Sequence, residues 1–131
     1  MLKKIYVDNT EVALVIEKIK AEERVKFYTD PDDQLQIGAF NMQKGEKILP
    51  HSHLKNRREL YNTAEVLYVT KGVLTVLFYK EDKSFDQKIN LSAGDIILLK
   101  SGSHGFEIQK DCEFIEIKQG PYLNDKDKVR F

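Results

Sequence analysis

Apolar residues recur at alternate positions over short stretches of this chain, and turn-forming pairs interrupt them. That period fits β-strands, whose side chains alternate between two faces. Residues 2–7 and 11–19 are apolar-rich, and Val12, Leu14 and Ile16 alternate with Ala13 and Val15, which predicts strand. Residues 17–24 have helical composition and suit a short helix or a turn equally. Residues 25–28 predict a further strand, closed by Thr29-Asp30-Pro31-Asp32-Asp33. Leu35, Ile37 and Ala39 alternate with polar or small partners, so 35–42 is expected to be extended. From Glu65 onward six short strands are predicted, at 66–69, 73–79, 88–91, 95–99, 105–109 and 113–118. Lys71-Gly72, Glu81-Asp82-Lys83, Ala93-Gly94 and Lys110-Asp111 separate them as candidate tight turns. Many short, evenly spaced strands argue an all-β sandwich or barrel.

No repeat, low-complexity segment or linker divides the chain, so residues 1–131 are read as one domain. The charged tail after Gly120-Pro121-Tyr122 is expected to be loose, with Phe131 free to tuck back. The runs Val66-Leu67-Tyr68-Val69, Val73-Leu74-Thr75-Val76-Leu77-Phe78 and Ile96-Ile97-Leu98-Leu99 are apolar on both faces. A small barrel buries only its inner face unaided. The outer face needs further strands or a second subunit, and a homodimer is the expectation.

Charge and targeting narrow the partners. Lys plus Arg equals Asp plus Glu, 21 each, so no net field draws the chain to nucleic acid or to an anionic membrane. The start, Met1-Leu2-Lys3-Lys4, lacks the long apolar core of a signal peptide, and the apolar run 12–16 is too short to span a bilayer. The one cysteine, Cys112, excludes an intramolecular disulfide, fits a reducing compartment, and reads as a plain strand residue. A soluble cytoplasmic protein acting on a small molecule is expected.

Candidate chemistry gathers around the three histidines. His51 and His53 flank Ser52, and in a strand both imidazoles would point one way. Glu65 opens an apolar run, and His104 lies at another strand boundary. Imidazoles converging with a carboxylate commonly hold a first-row transition metal.

These residues resemble the motifs of the cupin superfamily of small β-barrels. In the first motif a glycine is followed after five residues by His-x-His, then by a glutamate, and after six more residues by a glycine. Gly45, His51, His53, Glu65 and Gly72 stand in that order here. In the second, a glycine is followed by a Pro-x-Gly and a histidine; Gly94, Lys100-Ser101-Gly102 and His104 correspond. The likeness covers roughly residues 35–118 and implies a cupin-type barrel, a double-stranded β-helix or jelly roll. It also implies that His51, His53, Glu65 and His104 hold one divalent transition metal, whether Fe, Mn, Ni, Cu or Zn. The chain departs from the pattern at several places. Eleven residues, 54–64, separate His53 from Glu65 where the family has three or four. Lys100 replaces proline, His104 arrives one residue early, and Ile108 stands where an asparagine is sometimes found. Glu59 lies inside the insertion as a rival carboxylate. Glu65 is preferred because it opens a strand and keeps its spacing to Gly72.

The insertion is expected to shape the mouth of the barrel and to contact a substrate through Lys55, Arg57, Arg58 and Tyr61. Two adjacent arginines could clamp a carboxylate or phosphate, though a surface loop is often charged merely because it is solvated. Four protein ligands leave an octahedral ion two open positions, enough for oxygenation, isomerisation or hydrolysis. The leading expectation is a metal-dependent enzyme acting on a sugar, a nucleotide-linked sugar or an organic acid. The alternatives are a non-catalytic binder or sensor, and a metal-free epimerase-like barrel with a histidine base and a tyrosine acid.

Overall fold

Eight strands and one 3-10 turn, Asn124–Asp127, make up the regular structure of the computed structural model, which describes residues Met1–Phe131. Strands β1 (Leu2–Val7) and β2 (Thr10–Ile16) form a hairpin, with Leu2 opposite Ile16. Asp8 and Asn9 close it with φ of 48° and 63°, and positive φ at both central residues is what the tightest hairpin turns demand. Strands β3 (Val25–Phe27) and β4 (Gly38–Phe40) pair as a separate ribbon. The main sheet adds β5 (Glu65–Tyr79), β6 (Phe85–Ser92), β7 (Ile96–Leu99) and β8 (Ser103–Lys118), in the order β1-β2-β7-β5-β6 with β8 also paired to β5. All these pairings are antiparallel.

The predicted all-β class holds, and several boundaries differ. Strands 66–69 and 73–79 are one continuous β5, and 105–109 and 113–118 are one continuous β8. Lys71-Gly72 and Lys110-Asp111 bend two paired strands together instead of reversing the chain, and the ladder shifts register there. Residues 17–24 form no helix, and β4 occupies only part of 35–42. No strand forms from residue 41 to residue 64, so the strand expected to carry His51 and His53 is absent. Pro50, next to His51, has no N–H to give to a ladder.

The main sheet is curled, and its connectivity requires this. Glu65 is opposite Leu99 on β7, while Tyr79 is opposite Ser103 on β8. Residues 100–102 alone join Leu99 to Ser103, and such a link reaches about 14 Å at most. A straight fifteen-residue strand would instead hold its ends about 50 Å apart. β5 must therefore fold back on itself, and the sheet becomes a half-barrel.

Each face of the sheet carries a core. Inside the curl lie Leu67, Val69, Leu74, Val76, Phe78, Leu91, Ile97 and Leu99, with Ala13 and Val15. On the other face Leu14, Ile16, Val66 and Leu98 pack against Ile37 and Ala64, with Ile19, Tyr28 and Leu35 beside them. Residues 19–37 thus supply the outer cover for β7 and the first half of β5 within one chain. Strand β8 keeps apolar residues uncovered on both faces: Ile115 and Ile117 are exposed on the outer one, and Ile108, with Phe106 and Phe114 in part, on the concave one. Buried Asp95 fixes the β6–β7 turn by accepting hydrogen bonds from the N–H groups of Lys18 (2.9 Å) and Ser92 (2.8 Å). No helix is long and apolar enough to cross a membrane.

Candidate functional site

Glu65 and His104 reach the concave side from opposite ends of β5. Alternation places Glu65 on the face of Leu67 and Val69. His104, opposite Phe78, shares the face of Val76 and Leu74. The curl brings the two together, with His104 Nε2 3.1 Å from Glu65 Oε2. Their side chains are 24% and 13% exposed.

Two buried atoms of this pair have no hydrogen-bond partner, Glu65 Oε2 at the contact and His104 Nδ1, the ring nitrogen away from it. The carboxylate and the imidazole are thus close without hydrogen-bond alignment. Buried polar atoms left unpaired are uncommon and costly, and they single out this position. The His104 imidazole holds the Glu65 carboxyl below its ordinary range; burial opposes this, and the positive charges of Lys118 and Lys128 add to it. Phe106 lies beside His104, ring centroids 5.3 Å apart, and Phe114 lies 6.3 Å beyond it. The pair therefore stands at the head of an apolar wall along the open side of β8.

The other sequence-predicted residues lie elsewhere. His51 and His53 are exposed and face each other edge-on, centroids 5.3 Å apart. Nδ1 of His51 is 2.8 Å from the Leu49 carbonyl. No group of three or more His, Cys, Asp or Glu side chains stands close enough together to hold a metal ion. Glu59 is paired with Arg57 at 2.5 Å, so this rival carboxylate already has a cation. Lys55, Arg57, Arg58 and Tyr61 are all exposed, with Tyr61 90% so. Cys112 sits in β8 partly packed on the inner core, and burial pushes its thiol pKa up. That agrees with a plain strand residue.

Two features near the site escaped the sequence reading. Lys118 is directly opposite Glu65, which only the β5–β8 register reveals. The second is a pocket of about 210 Å³ on the outer side of the same strand ends, lined by Asp32, Asp33, Asn62, Ala64, Leu98 and Lys100 among others. In it Lys100, standing where the resembling motif has proline, bonds Glu11 (2.6 Å) and Asp33 (2.8 Å). No family model, curated protein or solved structure matches the chain.

Proposed function

We propose that this chain is a metal-binding barrel of the cupin type, in which Glu65 and His104 are two ligands of a divalent transition metal and His51 and His53 complete the set. The observation that carries the reading is the half-buried pair itself. His104 Nε2 and Glu65 Oε2 are 3.1 Å apart, and Glu65 Oε2 and His104 Nδ1 are buried without hydrogen-bond partners. Two ligands at right angles on one ion, with bonds of about 2.1 Å, stand about 3 Å apart. The donor set, imidazole and carboxylate, suits Fe, Mn, Ni, Cu or Zn.

The reading requires residues 47–54 to approach the site. Two exposed surfaces support this. β8 pairs only with β5, so its other edge offers free backbone groups, and Ile48, Leu49 and Leu54 stand exposed on a segment without a backbone ladder. Adding that segment to the β8 edge would bury both and turn His51 and His53 toward His104. Long open apolar edges are otherwise an association hazard.

The bound ion would supply Lewis acidity toward a small polar metabolite, a sugar, a nucleotide-linked sugar or an organic acid. The protein's own part is to hold Glu65 and His104 in place through the curl and to keep one side of the site dry with Phe106 and Phe114. Elemental analysis of untagged protein tests the assignment. About one metal per chain is expected in the wild type, with loss in His104→Ala and Glu65→Gln and retention in Glu59→Gln. Retention in Glu65→Gln with loss in Glu59→Gln would overturn the carboxylate assignment. Wild-type protein purified without metal, and taking up none from a divalent-ion titration, would overturn the whole reading.

A further inference from the structure

The C-terminal tail runs from one end of β5 to the other. It leaves β8 at Lys118, opposite Glu65, and the Gln119 side chain immediately accepts a hydrogen bond from Ala64 N at 2.9 Å. It ends at Phe131, whose ring meets Tyr79 edge-on, centroids 5.1 Å apart, with Lys83 Nζ over the ring 5.0 Å from its centroid. Tyr79 is the last residue of β5 and lies opposite Ser103, the neighbour of His104. The tail is therefore tied to both ends of the strand whose curl forms the site.

Its charges are arranged unevenly. Arg130 is taken up by Asp125 at 2.8 Å, within the tail itself. Lys118 and Lys128 have no carboxylate within salt-bridge distance; the contact of Lys118 Nζ is the face of Tyr122, at 5.8 Å. Lys118 lies opposite Glu65 in the ladder, and Lys128 stands three residues before Phe131 on the tail.

We infer that residues 119–131 form a strap over the Glu65–His104 opening and that the ligand beneath it is a small anion, a carboxylate or phosphate, met by Lys118 from the wall and Lys128 from the strap. This rests on the reading of Glu65 and His104 as a functional site and narrows its ligand class. It also moves the anion contacts from the 54–64 loop, where Arg57 already has Glu59, to the other side of the site. A cation on a flexible stem suits such a contact, because it can follow the ligand as the strap lifts. Phe131 is the latch, an aromatic ring held at a chain end that would otherwise fray.

The test alkylates histidine in the full-length protein with chelator present, so that its outcome does not depend on metal. Bromoacetate and neutral bromoacetamide are compared, and the product at each histidine is read by peptide mass spectrometry. N-acetylhistidine and free imidazole added to the reaction serve as internal references. Phe131→Ala is expected to raise the bromoacetamide rate at His104 several-fold and leave the references unchanged. Lys118→Gln combined with Lys128→Gln is expected to lower the bromoacetate-to-bromoacetamide ratio at His104 by about two- to fivefold, an effect that shrinks with added salt. An unmoved His104 rate in Phe131→Ala overturns the strap, and an unmoved ratio in the double variant overturns the anion. Loss of the metal reading alone leaves both readouts intact.

Discussion

Glu65 begins β5 and His104 registers with Phe78 near the end of that strand, yet their side chains meet at 3.1 Å. Nothing but the bend of β5 makes this possible. The bend is shared: β5 turns at Lys71-Gly72, β8 turns opposite it, and the ladder slips register between Val69 and Leu74. The same deformation that curls the sheet around its apolar core assembles the site, so fold and site stand or fall together.

Gly72 is the residue on which that bend depends. Its φ is 76°, and a Cβ there would lie 1.9 Å from the Asp111 carbonyl oxygen, a backbone atom that cannot step aside. Gly72→Ala is expected to cost about 4 kcal/mol or more, combining left-handed strain with a clash against the β8 backbone. Gly45 has a φ of 90° but nothing within 4 Å of a Cβ, so Gly45→Ala should cost only about 1–2 kcal/mol. Urea unfolding of the two variants checks the contrast, and equal costs would refute the assigned role of Gly72.

Lys100 ties β7 to β2 and to the 29–33 turn through Glu11 and Asp33, and Lys4 also reaches Glu11 at 3.0 Å. Burial pushes the Glu11 carboxyl up, but its bonds to Lys100 and Lys4 outweigh this and hold it below its ordinary value of 4.5. A carboxylate depressed in the folded state adds stability that is complete above the unfolded pKa and is lost as pH falls through the folded one. The melting temperature should therefore drop as pH is lowered below 4.5, and Glu11→Gln should flatten that drop. Parallel melting curves against pH for the two proteins would show that this network carries no linked proton.

Much of the fold was legible because local pattern and tertiary demand agree. Val12, Leu14 and Ile16 alternate and lie in β2, and Leu67 and Val69 alternate and lie inside the curl. The bends were not legible as bends. Lys71-Gly72 and Lys110-Asp111 carry the residues of a reversing turn, and only their position opposite one another in the ladder makes them a shared fold line. Asp8-Asn9 is a hairpin signal legible in the sequence, between the strand patterns of β1 and β2. Glu65, singled out by its spacing to Gly72, does open a strand, and His104 stands beside it. The His51–His53 half rests on an expected strand that is absent, since the segment's apolar residues, Ile48, Leu49 and Leu54, find no surface to pack on within the sheet. Phe131 does tuck back, onto Tyr79.

The expectation of a homodimer now has a narrower basis. Outer cover for β7 and the first half of β5 comes from residues 19–37, which leaves Ile115 and Ile117 of β8 as exposed apolar positions on that face. A dimer formed through this face should appear as twice the chain mass in light scattering at micromolar concentration, and Ile115→Asp with Ile117→Asp should reduce it to a monomer. A monomer mass for the wild type would dismiss the dimer.

On the proposed function, one ion gathers all three histidines of the chain around Glu65. Because there are only three, each imidazole can be followed individually by nitrogen-correlated NMR of the rings during a zinc titration. The account predicts that His51, His53 and His104 each acquire a metal-bound ring nitrogen together, completing at one equivalent. Saturation at one equivalent with His51 and His53 unchanged, or their response only to a second equivalent, would contradict it.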